Sequence, residues 1–159
     1  MNTYLISVRP KWANLFFDRA TPKTVELRKG NFGRSLSMGD RLLIYSTLPV
    51  GKIIGEVAVR DRQELPISEL RIATKDWAQV SPDDFNAYYE SSYTGVIWVD
   101  RSRLLRDTGI AVWVDRPELF ENPIALATLK IAGINPPQQL VKLAEKQANI
   151  LFPRRNQIH

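Results

Sequence analysis

The sequence predicts an α+β fold: a small β-barrel built from a curled, mostly antiparallel sheet with peripheral helices, in one domain over residues 1–159. Three observations lead there. Short β-rich runs are separated by closely spaced turn residues, helix signals fall between hairpins, and the regular strand–helix alternation of a doubly wound parallel sheet is missing.

Residues 3–8 (Thr-Tyr-Leu-Ile-Ser-Val) make the first strand, closed by Arg9-Pro10, where proline suits the first turn of a helix. Trp12, Ala13, Leu15, Phe16 and Phe17 then give residues 10–18 a short amphipathic helix. After Thr21-Pro22, residues 23–29 alternate. Val25 and Leu27 face one way, Thr24, Glu26 and Arg28 the other, as in a half-buried strand with Lys23 at its mouth. Residues 30–39 read as a flexible basic loop around Arg34, and residues 41–47 and 52–59 as strands joined through Leu48-Pro49-Val50-Gly51.

The acidic middle, residues 67–91, carries two short helices. The second is opened by Ser81-Pro82-Asp83-Asp84, with serine as N-cap and proline at the first helical position. Trp-Val-Asp-Arg occurs at 98–101 and again at 113–116, with Arg106-Asp107-Thr108-Gly109 between. Two strands joined by a turn are expected, since a repeat architecture needs several copies of a longer unit. Beyond Glu121-Asn122-Pro123, a short segment over 124–130 leads to Pro136-Pro137, and a C-terminal helix is expected over about 138–150.

Composition narrows the function classes. The chain has no Cys, which excludes disulfides and thiolate chemistry, and a small secreted domain usually needs such staples, so a cytoplasmic protein is expected. The opening residues are too soon charged for a signal peptide, and no apolar run approaches a membrane span of roughly 20 residues. The single His is His159, so neither imidazole catalysis nor histidine metal ligation is expected, and no cofactor is implied. Net charge is +5 overall but uneven: residues 1–60 carry ten Lys or Arg against four acids, and residues 61–100 three against eight. A basic N-terminal third fits a polyanion-binding face, and it fits an unevenly charged solvated surface equally well.

The densest polar constellation is Thr21-Pro22-Lys23-Thr24-Val25-Glu26-Leu27-Arg28. Glu26 and Arg28, two apart on a strand, share a face. In a concave site the cations would bind phosphate, while the carboxylate would orient Arg28 or accept from a base amino group. On a convex face the same residues would be a salt-bridge ladder of little consequence.

This segment resembles the ASCH domain, a branch of the PUA-like barrels whose hallmark is Gly-x-Lys-x-x-Glu-x-Arg just after the first helix. Lys23, Glu26 and Arg28 fall in register, and Thr21 stands where the family usually has Gly. Ser7-Val8-Arg9-Pro10, Tyr45-Ser46-Thr47-Leu48-Pro49 and Ile53-Ile54-Gly55-Glu56 resemble the family's opening strand and next hairpin. Phe120-Glu121-Asn122-Pro123 and Pro136-Pro137-Gln138 resemble the tail of a bacterial and archaeal single-domain subgroup. The resemblance implies a PUA-like barrel whose cleft, near the first helix and the motif strand, faces RNA or a nucleotide-like ligand. Members are described as RNA-binding or regulatory, and a few are hydrolases: amidohydrolases of acetylated cytidine and at least one ribonuclease. In the amidohydrolases the nucleophile is a threonine at the position held here by Glu26, and Thr24 is out of that register.

The first reading is therefore a nucleic-acid-binding regulatory module, RNA before DNA. Arg9, Lys11, Lys23 and Arg28 would hold phosphate, Ser7, Glu26 and Tyr45 would contact base or sugar, and Thr24 and Thr47 would lie alongside. The alternative is a metal-independent hydrolase of RNA or of a modified nucleoside, with Lys23 as base and Glu26 as its partner. A third is a regulator that binds a nucleotide-like small ligand. Glu26 is expected to raise the Lys23 pKa and keep it protonated, which favours binding over proton abstraction. Trp12, Trp77, Trp98 and Trp113 could stack on bases, but such aromatics usually belong to the core. Arg101, Arg103, Arg106, Arg154 and Arg155 could add phosphate contacts or remain solvated.

Overall fold

In the computed structural model, which describes residues 1–90 and 108–153, the elements in chain order are β1 (Thr3–Val8), α1 (Pro10–Ala13) running into a 3-10 turn (Asn14–Phe17), β2 (Val25–Lys29), β3 (Arg41–Ser46), β4 (Lys52–Pro66), α2 (Ile67–Thr74), α3 (Pro82–Glu90), β5 (Thr108–Ala125), α4 (Leu126–Ile131), β6 (Leu140–Lys142) and α5 (Glu145–Leu151). The six strands form one curled sheet, a half-barrel of order β2–β5–β4–β3–β1–β6. Every pairing is antiparallel except β1 with β3, so the sheet is mixed but mostly antiparallel, as the strand pattern predicts.

Strand alternation divides the core in three. Tyr4, Ile6 and Val8 of β1 join Leu42 and Ile44 of β3, Val57 and Val59 of β4 and Ile110, Val112 and Val114 of β5 on the concave side, with Ala13 and Phe16 packed across them. Leu5, Leu43, Tyr45 and Ile53 point the other way, under α4, α5 and the tail residues Leu143 and Leu151. Val25, Leu27 and Ala111 face α2 and α3 through Ile67, Leu70, Phe85 and Tyr89. Both sides of the sheet are covered, which requires long apolar runs where a half-exposed sheet would show polar alternation. Gly109 allows the close approach on that third side: a Cβ there would lie 2.6 Å from Leu70 Cδ2 and 2.7 Å from the Tyr89 hydroxyl.

Three sequence expectations are corrected. Residues 138–150 are not one helix: Leu140–Lys142 pair with Tyr4–Ile6 as an edge strand, and the helix is only Glu145–Leu151. Pairing supplies partners for the outer backbone edge of β1, with Ser7 N–H donating to Gln139 O at 3.2 Å and Leu143 N–H to Thr3 O at 2.8 Å, which a helix there would leave open. The second corrected expectation is the turn placed at Gly109; the hairpin it would close, with its first strand at 98–101, lies outside the described residues. Through Gly109–Trp113 β5 has β2 on one edge and β4 on the other, so its ladder is filled and Gly109 is strand, not turn. The first copy, with Trp98, Arg101, Arg103 and Arg106, lies outside the described residues, as do Arg154, Arg155 and His159. Third, β4 runs past Val59 to Pro66, because Asp61–Pro66 pair with Trp113–Thr108 as a solvated ribbon that apolar alternation does not mark.

Among the described residues no helix is long and apolar enough to cross a membrane, and no group of three or more acidic or histidine side chains is placed to hold a metal ion.

Candidate functional site

The register of β2 on β5 decides where the charged residues go. Glu26 lies opposite Val112 and Arg28 opposite Ile110, so both project from the concave side of the sheet, the side that holds the main core. There they form part of the wall of a cavity of about 610 Å³. Its other walls come from the end of β1 (Ser7, Val8), the start of α1 (Arg9, Trp12), Thr47, the segment carrying α3 (Val80, Asp84, Phe85, Tyr88, Tyr89) and the tail (Gln138, Gln139), with Lys23 and Lys29 flanking the strand.

Lys23 sits at the floor, not the mouth. Its residue is 2 % exposed, its Nζ donates to Ala78 O at 2.6 Å, and it lies 3.8 Å from Glu26 Oε1 and 5.6 Å from the centre of the Phe16 ring. Burial lowers its pKa from the ordinary lysine value of 10.5, outweighing the Glu26 carboxylate, which raises it, while Arg28 lowers it further. The expectation that Glu26 would dominate is thus reversed, because desolvation of an ammonium this deep costs more than one carboxylate returns.

Glu26 is 6 % exposed, and its Oε1 accepts the Leu27 N–H at 3.2 Å. Its Oε2 faces Arg28 Nη2 at 3.6 Å, an ion-pair distance too long for a hydrogen bond. Arg28 is held by its own contacts: Nη2 donates to Ser7 O at 2.8 Å, and the guanidinium lies 4.9 Å from the Phe32 ring centre. Tyr89 donates its hydroxyl to Arg28 O at 3.0 Å, so α3 fixes the strand backbone as well as lining the cavity. Burial pushes the Tyr88 hydroxyl pKa up, and that of Tyr89 well above the ordinary tyrosine range. Lys29 donates to Tyr88 O at 3.1 Å and sits 4.5 Å from the Tyr88 ring centre, and burial lowers its pKa.

The remaining predicted residues divide. Ser7, Arg9 and Thr47 line the cavity with Lys23, Glu26 and Arg28. Lys11 does not: its exposed ammonium donates to Asp84 Oδ2 at 2.9 Å, tying α1 to α3 beside the opening. That hydrogen bond is the main reason the Asp84 carboxyl lies below its ordinary pKa. Thr24 lies outside the cavity wall, its backbone bonded to Trp77 O and Val114 N–H. Tyr45 is 4 % exposed on the opposite side of the sheet among Leu5, Leu43 and Leu129, so the expected cleft-wall position is corrected. Of the tryptophans, Trp12 lines the cavity, Trp77 is 53 % exposed, and Trp113 is half-buried with Nε1 donating to Gln63 Oε1 at 2.9 Å.

Sequence reasoning missed the wall formed by Asp84 and Tyr88, whose spacing of four on a helix was the available signal, and the wall formed by Gln138 and Gln139, which had none. The tail wall hangs on Ser7, whose hydroxyl donates to Pro137 O at 2.6 Å. Ser7→Ala is expected to cost about 1 kcal/mol in urea unfolding. An unchanged midpoint would show that this bond adds nothing.

No protein-family model matches the chain, and no curated protein matches it in sequence. Among solved structures it is similar to ASCH from Zymomonas mobilis, with TM-score 0.78 and 22 % identity over 96 % of this chain and 95 % of that one. The N-terminal domain of Staphylothermus marinus McrB is similar at TM-score 0.55 and 13 % identity, over 96 % of this chain and 93 % of that one. A Pseudomonas putida protein gives TM-score 0.55 and 13 % identity over 95 % and 97 %. At such identities the likeness is one of fold, and the fold is that of the ASCH protein.

Proposed function

We propose that this chain, which carries the ASCH fold, binds single-stranded nucleic acid, RNA before DNA, through the cavity on the concave side of its sheet. The observation that carries the reading is the lining of that cavity. Arg9, Arg28 and Lys29 stand with the aromatic surfaces of Trp12 and Tyr88 and with hydroxyl and amide groups of Ser7, Thr47, Gln138 and Gln139. Cations attract phosphate, aromatic faces stack on bases, and polar groups at the rim can meet a 2′-hydroxyl, which is the reason for placing RNA first. A small concave pocket suits a flexible strand better than a continuous duplex.

The test is fluorescence anisotropy with labelled single-stranded RNA, its all-deoxy counterpart and a duplex, over a salt series. RNA affinity should fall linearly on a log–log plot as salt rises, because each phosphate contact releases condensed counterions. Salt-independent binding, or a preference for duplex, would sink the proposal.

A second reading has one observation in its favour, the buried Lys23 beside Glu26 with its pKa lowered by desolvation. Such a pair supports a hydrolase of RNA or of a modified nucleoside. In RNA the neutral Lys23 amine would take the 2′-hydroxyl proton as that oxygen attacks phosphorus to form the 2′,3′-cyclic phosphate, the resulting ammonium would return a proton to the departing 5′-oxygen, and Arg28 would offset the charge gathering on the phosphoryl oxygens. Cleavage of RNA but not of its deoxy counterpart, or release of acyl from an acylated nucleoside, lost in Glu26→Gln, would establish it. Intact substrates after prolonged incubation would leave binding alone.

A further inference from the structure

One carboxylate oxygen of a residue in the cavity wall accepts no hydrogen bond among the described residues. Glu26 Oε1 is occupied by the Leu27 N–H and faces Lys23, whereas Oε2 accepts no hydrogen bond among the described residues although it is fully buried. Its nearest cation, Arg28, directs Nη2 to Ser7 O. Buried carboxylate oxygens are almost always satisfied, and an unsatisfied one is costly until a donor reaches it. The geometry thus asks for a ligand group with an N–H at Oε2 and tolerance of a cation alongside.

The cavity also limits what can bring that group. About 610 Å³ lies within the usual range of a small-molecule site, and it is bounded by Trp12, Phe85 and Tyr88 as well as by the charged strand. A space of this size is large enough for one nucleotide with its base inward.

Resting on the nucleic-acid reading above, we propose that the cavity receives a single nucleotide of the strand and selects a base with an exocyclic amino group, cytosine or adenine, whose N–H donates to Glu26 Oε2. In both bases the amino group adjoins a ring-nitrogen acceptor, which matches an acceptor (Oε2) next to a donor (Arg28). Uracil offers only a ring N–H set between two carbonyl oxygens, which a carboxylate repels. Guanine presents two donors side by side and is best met by both carboxylate oxygens, but Oε1 is already engaged.

Calorimetric titration with cytidine, adenosine, uridine and guanosine monophosphates tests this, alongside anisotropy with C-, A- and U-only oligoribonucleotides. Cytidine and adenosine monophosphates are expected to bind at least about tenfold more tightly than uridine monophosphate. In Glu26→Gln the preference should shrink, because the amide can turn its NH₂ toward a uracil carbonyl. If that variant fails to fold, the parent's own base preference decides. Equal binding of the C-, A- and U-only strands overturns the selection proposal while leaving nucleic-acid binding in place. Base preference in oligomers with no mononucleotide binding overturns the single-nucleotide cavity. Failure to bind any strand overturns the underlying function instead.

Discussion

Lys23→Met is expected to destabilise the protein by about 3–5 kcal/mol, the range for removing one member of a buried ion pair. The ammonium is one of two cations near Glu26 and the donor to Ala78 O, so its loss strands a buried carboxylate and a backbone acceptor together. The double variant Lys23→Met/Glu26→Gln should recover part of that loss, since the carboxylate left without the ammonium is then neutral while Arg28 keeps its bond to Ser7 O. A Lys23→Met protein with the parent's unfolding midpoint would mean that the pair is not what holds the cavity floor. The pH dependence has a definite sign. Because the folded-state pKa of Lys23 lies below 10.5, the unfolded chain binds more protons between those two values, and stability rises with pH across that window. Tyr88 and Tyr89, whose pKa values are raised from 10.0, act oppositely above pH 10. The difference between parent and Lys23→Met isolates the lysine: the parent should gain on the variant as pH climbs toward 10.5.

How far the sequence could reach is clear from these same residues. Strand periodicity alone puts Glu26 and Arg28 on one face, and the register with Val112 and Ile110 makes that face concave. The strand itself begins only at Val25, so its period does not govern Lys23, whose direction is set by Leu15 O holding its N–H at 2.8 Å and by Ala78 O holding its Nζ. Tyr45 was misplaced although the same rule of two puts it with Leu43 and away from Ile44; family likeness outweighed periodicity there, and periodicity was right. The second helix of the acidic middle was legible because its cap is local: Ser81 Oγ accepts the Asp84 N–H at 3.0 Å. The tail was not, because Leu140-Val141-Lys142 is a strand only by virtue of the open edge of β1, a partner more than 130 residues earlier in the chain.

Arg28→Ala is expected to weaken single-stranded RNA binding by about 1.5–3 kcal/mol, roughly 10- to 150-fold, the range for a lost hydrogen bond to a charged group. The expectation rests on preorganisation as much as on charge. With Ser7 O taking one N–H, the Phe32 ring centre 4.9 Å from the guanidinium carbon and Tyr89 fixing the backbone, the guanidinium is already held before a ligand arrives, so binding costs it little further entropy. The same geometry explains why Arg28→Lys should fail to restore affinity. A lysine ammonium is a point donor on a flexible stem; it cannot bond Ser7 O, rest against Phe32 and still present a planar pair of donors to the cavity. Both variants should lower the slope of log affinity against log salt by about one if Arg28 meets a phosphate, and leave it unchanged if Arg28 meets a base edge. The slope therefore separates the two roles that affinity alone would confuse. Parent affinity in Arg28→Ala, with the fold intact by thermal unfolding, would remove Arg28 from the interface and with it the argument that the concave face of β2 is where nucleic acid binds.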